Sequence, residues 1–295
     1  MRPTAVYLGL LRLRAVEEAL ELGRRRHGQS GQDASSGGHG RGEKAQRSSD
    51  ALDRASTRTR RGERRAPMPS SRAMTADRNP WVALPESTPY VLDEDRALIE
   101  RFNATAKREL FVHLEHHPEP FLGRPDAPVV VLGLNPGYLP ECDRWYGDSA
   151  FAARARANLV HGALEFPFYL LDPSQPAPGH RWWMRKLGPL IRATSLQAAA
   201  HGVLCVELFP YHSERFGHTK LRVPSQEYSF DLVRRALSRG AWIVLMRSKR
   251  LWFAAVPELA SYHRLVRIRN VQNPVISPRN IDCDFDALVK AVGGR

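Results

Sequence analysis

Several short stretches of the chain carry residue types suited to chemistry, and each follows an apolar run. The first is Gly133-Leu134-Asn135-Pro136-Gly137, after Val129-Val130-Val131-Leu132. Asn135 brings a neutral amide that both donates and accepts, so it can place a water or a polar ligand without adding charge. Pro136 and Gly137 let the loop turn sharply and bring backbone N–H groups of Gly133 and Leu134 close to a ligand. The second is Glu207-Leu208-Phe209-Pro210, which sets a carboxyl at the end of another apolar run. The third is Arg247-Ser248-Lys249-Arg250, where a hydroxyl suited to capping a helix stands among three cations, an arrangement that suits a phosphate. The fourth is Asn273-Pro274-Val275-Ile276-Ser277-Pro278-Arg279-Asn280, a Pro-punctuated loop with polar and apolar side chains at its tip.

The elements that hold these stretches follow from hydrophobic patterning. Strands are predicted from Val129 to Leu132 and over 203–209, 242–246 and 265–268, each a short continuous apolar run of the kind buried on both faces. Helices are predicted over 93–114, with Asp93 as the cap, then over 150–165, 182–200, 227–238 and 248–255, and from residue 282 onward. Strands alternating with helices imply a three-layer α/β/α fold on a parallel sheet of four strands. In such folds the loops after the strands carry the chemistry.

Composition separates this part from what precedes it. Residues 1–73 hold 16 Lys and Arg against 8 Asp and Glu, so +8 of the chain's formal +13 lies in that stretch. Positions 4–22 have helical apolar spacing, while 23–72 are Arg, Gly, Ser, Ala and Gln with few large apolar side chains, a composition expected to stay disordered. A start of translation at Met68 or Met74 would leave that tail out of the protein. The domain is expected over residues 74–295, with a modest charge bias toward polyanions. Cys142, Cys205 and Cys283 are odd in number and far apart, which suggests neither a disulfide framework nor a metal site and points to a reducing, cytoplasmic setting. No apolar stretch reaches the roughly 20 residues of a membrane span. His116-His117 and the pair His212/His218 lack metal-ligand spacing, so no metal and no cofactor are expected.

Taken together, Gly133-Leu134-Asn135-Pro136-Gly137 and Ser277-Pro278-Arg279-Asn280 resemble the first and second motifs of the uracil-DNA glycosylase superfamily, closest to its mismatch-specific and single-strand-selective branches. The resemblance runs from about Trp81 to the C-terminus. It implies that superfamily's central four-stranded parallel sheet, DNA as partner, a monomer, and hydrolysis of the N-glycosidic bond of a flipped base in DNA repair. Asn135 then matches the residue that positions the water, and backbone N–H groups near Leu134 would meet the base oxygen. Gly137 stands where classical uracil enzymes carry a blocking tyrosine, so the implied substrate range is broader than uracil. Trp145 and Tyr146 lie about where the family places a ring stacked on the flipped base.

Two departures stand against this pattern. Glu207 occupies the place of an asparagine that reads the base amide edge; an ionised glutamate only accepts, so either burial keeps it protonated or the preferred base presents an amino donor. The motif histidine is missing: alignment through Ser277-Pro278-Arg279-Asn280 puts Val275 at its position and alignment through Pro274 puts Asn273 there, as in the Asn-Pro-Ser of the mismatch-specific branch, which implies a slow enzyme. Val275 and Ile276 could wedge between base steps while Ser277 and Arg279 meet the backbone. A catalytically weak or inactive nucleic-acid-binding member of the superfamily, and an unrelated α/β protein in which these motifs are only turns, are the rival expectations.

Overall fold

The computed structural model describes residues 79–294, so the expectations for residues 1–78 lie outside the described residues. Its centre is β2 (Val129–Leu132), whose four side chains are all fully buried. Parallel partners flank it, β3 (Val203–Val206) on one side and β4 (Trp242–Leu245) on the other, with Val130 level with Leu204 and Ile243. β5 (Leu265–Arg267) continues the parallel set beyond β4.

The sheet differs from the expected four parallel strands by one more. β1 (Phe121–Leu122) pairs antiparallel with β3, giving the order β1-β3-β2-β4-β5. Two residues carry too little period-two pattern to be read from sequence. What fixes them is long-range: buried Asn158 accepts from Gly123 N–H at 3.1 Å and donates to the Phe121 carbonyl at 2.7 Å, satisfying main-chain groups at β1. Gly123 has φ +107°, and a Cβ there would lie 2.4 Å from the Val203 carbonyl oxygen, so this turn admits only glycine.

Alternation along the strands splits the core in two. Val130, Leu132, Leu204, Val206, Ile243 and Leu245 face one cluster, with Ile99 of α1 (Asp93–Asn103) and residues of three further helices. Val129, Val131, Val203, Cys205, Val244 and Val266 face the other. Helices therefore cover both faces. They are α2 (Glu141–Tyr146), α3 (Ser149–Leu159), α4 (Pro178–Lys186), α5 (Gly188–Ala193), α6 (Leu196–Gly202), α7 (Gln226–Ser238), α8 (Lys249–Ala255) and α9 (Phe285–Gly293).

Several predicted bounds are corrected by local chemistry. Leu92, not Asp93, stands at the cap position of α1, and no side chain caps it. That helix stops at Asn103 because the Asn103 amide bonds both N–H and C=O of Val112, pulling the chain back along itself. The helix predicted over 182–200 is three helices. Pro189 has no N–H to continue α4 into α5, and Ser195 starts α6 by accepting from Ala198 N–H at 2.9 Å. β3 ends at Val206, short of the predicted 209, and Asp284 caps α9. Among the described residues no helix is long and apolar enough to cross a membrane.

Candidate functional site

The carboxyl ends of β2, β3, β4 and β5 lie along one edge of the sheet, and the predicted stretches leave from there. At the end of β2, Gly133 donates to the Val206 carbonyl at 2.9 Å and its own carbonyl accepts from the Trp252 indole of α8 at 2.8 Å. Leu134, half-buried, accepts from Phe209 N–H, so the first two strand-end loops are laced together. The backbone N–H groups of Leu134 and Asn135 meet no acceptor among the described residues.

Glu207 lies directly over Gly133. A Cβ at that glycine would sit 2.2 Å from Glu207 Oε2, so the missing side chain is what admits the carboxyl. Glu207 is 7 % exposed, and Oε2 has no hydrogen-bond partner. Its other oxygen takes a long 3.5 Å contact from the Cys205 thiol. Burial pushes the Glu207 pKa up to about 8; the thiol contact lowers it, the charge of Glu119 adds to the rise and that of Arg247 opposes it. This raised pKa favours the protonated acid at neutral pH, a form with one donor and one acceptor.

Asn135 is held by single-polarity partners. Its Nδ2 donates to the Pro136 carbonyl at 2.9 Å and to Ser213 Oγ at 2.9 Å. A carbonyl cannot donate, and the Ser213 proton is committed to the Arg215 carbonyl at 2.9 Å, so the amide can face only one way. Asn135 Oδ1 therefore points away from its protein partners. Ser213 also accepts from Tyr138 N–H at 3.0 Å and donates its N–H to the Pro136 carbonyl at 3.3 Å. Beside it, buried His212 sets Nδ1 3.2 Å from the Gly137 carbonyl and Nε2 3.0 Å from the His117 carbonyl. Buried Pro136 sits inside this clamp, while a Cβ on exposed Gly137 would meet nothing within 4 Å, leaving that side of the loop open.

The aromatic expectation needs correction. Tyr146 is no free platform: its hydroxyl donates to Glu119, its ring stacks on His116 with centroids 4.6 Å apart, and the Phe151 ring meets it edge-on at 5.2 Å. Trp145 is half-buried against Phe151. Glu119 also accepts from Tyr169 at 2.5 Å, forming a buried hydroxyl–carboxyl network next to His212 and below the Asn135 loop. Burial drives both tyrosine hydroxyls well above their ordinary range. Among the described residues no three His, Cys, Asp or Glu side chains are grouped to hold a metal ion.

After β4, half-buried Arg247 lies within electrostatic reach of Glu207. Ser248 occupies the position before α8 with left-handed dihedrals (φ 54°, ψ 48°) and makes no side-chain cap, contrary to expectation. Lys249 lies over the Phe253 ring and Arg250 is exposed.

The loop after β5 folds on itself. The Asn280 side chain donates to the carbonyls of Val275 (2.8 Å) and Asn273 (3.2 Å) and accepts from Asn270 N–H. Ile276 is fully buried in the second core cluster, so it is no wedge; Val275 is half-buried. Ser277 closes the turn through its carbonyl, and Arg279 is exposed. Asn273 is exposed, and its Oδ1 accepts from the ammonium of Lys186, a residue only 5 % exposed, at 2.8 Å. No hydrogen bond among the described residues joins Asn273 to Asn135 or Glu207.

Comparison of the chain with protein-family models, with curated proteins and with solved structures gives no match. The site therefore rests on its own geometry, which gathers Gly133, Leu134, Asn135, Glu207 and Arg247 at one place. Sequence reading weighed His212 only as a metal ligand and passed over Ser213, Glu119, Tyr169 and Lys186. The first two had a signal, since His212-Ser213 follows Pro210 in the second strand-end loop; the others stand on segments with no motif. A surface concavity of about 460 Å³ lies elsewhere, on α7 by Asp231, Arg234 and Arg239. Its Arg234 is already paired with Glu227 and Asp231 at 2.8 Å, so volume alone does not mark a site there.

Proposed function

We propose that the chain is a DNA glycosylase-like protein that hydrolyses the N-glycosidic bond of a damaged or mispaired base flipped out of DNA. The observation that carries this reading is the Asn135 amide, held by Pro136 and Ser213 with its acceptor oxygen turned away from them, on the loop whose Gly133 packs against buried Glu207. In hydrolysis the water oxygen bonds to the sugar's anomeric carbon, the C–N bond pair leaves with the base, and the water's proton passes to solvent. Asn135 Oδ1 accepts from that water and aims it; a neutral amide is a poor base, so its contribution is placement. The N–H groups of Leu134 and Asn135 suit the negative charge that grows on the base oxygen.

A protonated Glu207 offers the donor and acceptor pair that an asparagine would. It complements an –NH–C(=O)– edge, as in uracil and hypoxanthine, and this favours the protonated alternative over an amino-bearing base. Open space at Gly137 fits a range wider than uracil. The surface cations Arg250 and Arg279 would meet phosphate, the partner being DNA and the acting species a monomer. Three free thiols fit a cytoplasmic setting.

The test is release of free base, read by mass spectrometry, from oligonucleotides carrying uracil, mispaired thymine, hypoxanthine, xanthine or alkylated bases. Release that is lost in Asn135→Ala supports the reading, release untouched by that change removes Asn135 from the mechanism, and absence of release by the wild type refutes hydrolysis. One observation favours a second reading, a weak or inactive base-binding member: the fourth loop presents Asn273 and no imidazole for the leaving oxygen. DNA bound without base release is its signature.

A further inference from the structure

We infer that Ser213 and Lys186 are positioning residues that set two asparagines to opposite polarity, Asn135 presenting an acceptor and Asn273 a donor. The inference rests on the glycosylase reading for its chemistry and on single-polarity partners for its geometry. At Asn135 the partners can only accept. The Pro136 carbonyl and Ser213 Oγ both take the Nδ2 protons, and Ser213 is kept an acceptor by giving its own proton to the Arg215 carbonyl. At Asn273 the partner can only donate, because an ammonium has no lone pair. Lys186 Nζ on Oδ1 at 2.8 Å thus turns the Asn273 amide protons away from itself.

Breaking a C–N bond by water needs both polarities, an acceptor facing the incoming water and a donor facing the departing base oxygen. A free amide can flip and present either, so it would be misaligned part of the time. Fixing the flip through buried partners removes that loss; Ser213 is 1 % exposed and Lys186 5 %. Both asparagines ride on loops from the same edge of the sheet. Asn273 is further secured by its main chain, with Asn273 N–H donating to Asn270 Oδ1 at 3.1 Å and its carbonyl accepting from Asn280 at 3.2 Å.

The experiment pairs single-turnover base release with the side-chain amide NMR signals of Asn135 and Asn273, assigned through Asn135→Ala and Asn273→Ala. Ser213→Ala is expected to slow release by about 10–100-fold, the scale of a small misplacement at the reacting centre, with DNA affinity unchanged. Ser213→Thr, which keeps the oxygen, restores the rate. In Ser213→Ala the Asn135 amide pair moves and exchanges faster; in Lys186→Met the Asn273 pair does. Lys186→Arg, which like lysine can only donate, holds the Asn273 signal in place and guards against a folding defect. Wild-type rates or unmoved amide signals in Ser213→Ala and Lys186→Met overturn the inference. Should the wild type release no base, the glycosylase reading fails, and the amide signals alone still decide whether these residues fix the two asparagines.

Discussion

Glu207 shows how one residue's identity depends on its surroundings. In water its carboxyl would be ionised above 4.5; packed on Gly133 with an unpartnered oxygen it holds its proton to about pH 8. Because the folded pKa lies above the unfolded one, the stabilisation is complete below about 4.5 and is lost as pH rises through about 8. Glu207→Gln, neutral at every pH, is therefore expected to flatten the loss of stability between about pH 4.5 and about pH 8 in urea melts. If Glu207 reads the base, base release by the wild type declines as pH rises through about 8, while Glu207→Gln keeps it. Gly133→Ala tests the same contact from below. A Cβ 2.2 Å from Oε2 meets the far end of a flexible side chain, so the carboxyl moves and the chain still folds. We expect Gly133→Ala to lose the alkaline slope as Glu207→Gln does; a slope equal to wild type would refute the packing argument.

At the scale of elements, β1 depends on a buried amide, Asn158, and the loop after β5 on a half-buried one, Asn280. Asn158→Ala strands the Phe121 carbonyl and the Gly123 N–H, at about 1–3 kcal/mol for each buried group left unpaired. The midpoint of chemical denaturation reads that loss directly. Ile276 gives a contrasting case. It is wholly buried in the core, so Ile276→Ala should cost about 2–5 kcal/mol of stability. Its effect on DNA should follow from that destabilisation alone. A variant of full stability that fails to flip bases would restore the wedge.

Across the whole molecule two pH limbs and one charge balance set behaviour. His116, His117 and His161 have pKa values lowered to about 4, chiefly by burial. Their stabilisation is complete above the ordinary 6.5 and is lost as pH falls toward 4, so stability should rise with pH up to about 6.5 and then decline through the Glu207 range. Thermal melts across this range check the shape. If DNA is the partner, as proposed, Arg250→Ala or Arg279→Ala should weaken binding about equally for all sequences and reduce the salt slope by about 1. Sequence by itself determined the α/β class, four parallel strands and the loops at Asn135 and Glu207, because short apolar runs ended by Gly or Pro are local signals. It could not supply β1, the three-way break of the 182–200 segment, the burial of Ile276 or the covered ring of Tyr146, since each depends on contacts between residues far apart in the chain. Tertiary structure alone decided the two quantities on which the proposed chemistry turns. One is the proton on Glu207, a matter of how completely water is removed from a carboxyl; the other is the direction of the Asn135 amide, set by Ser213, 78 residues away.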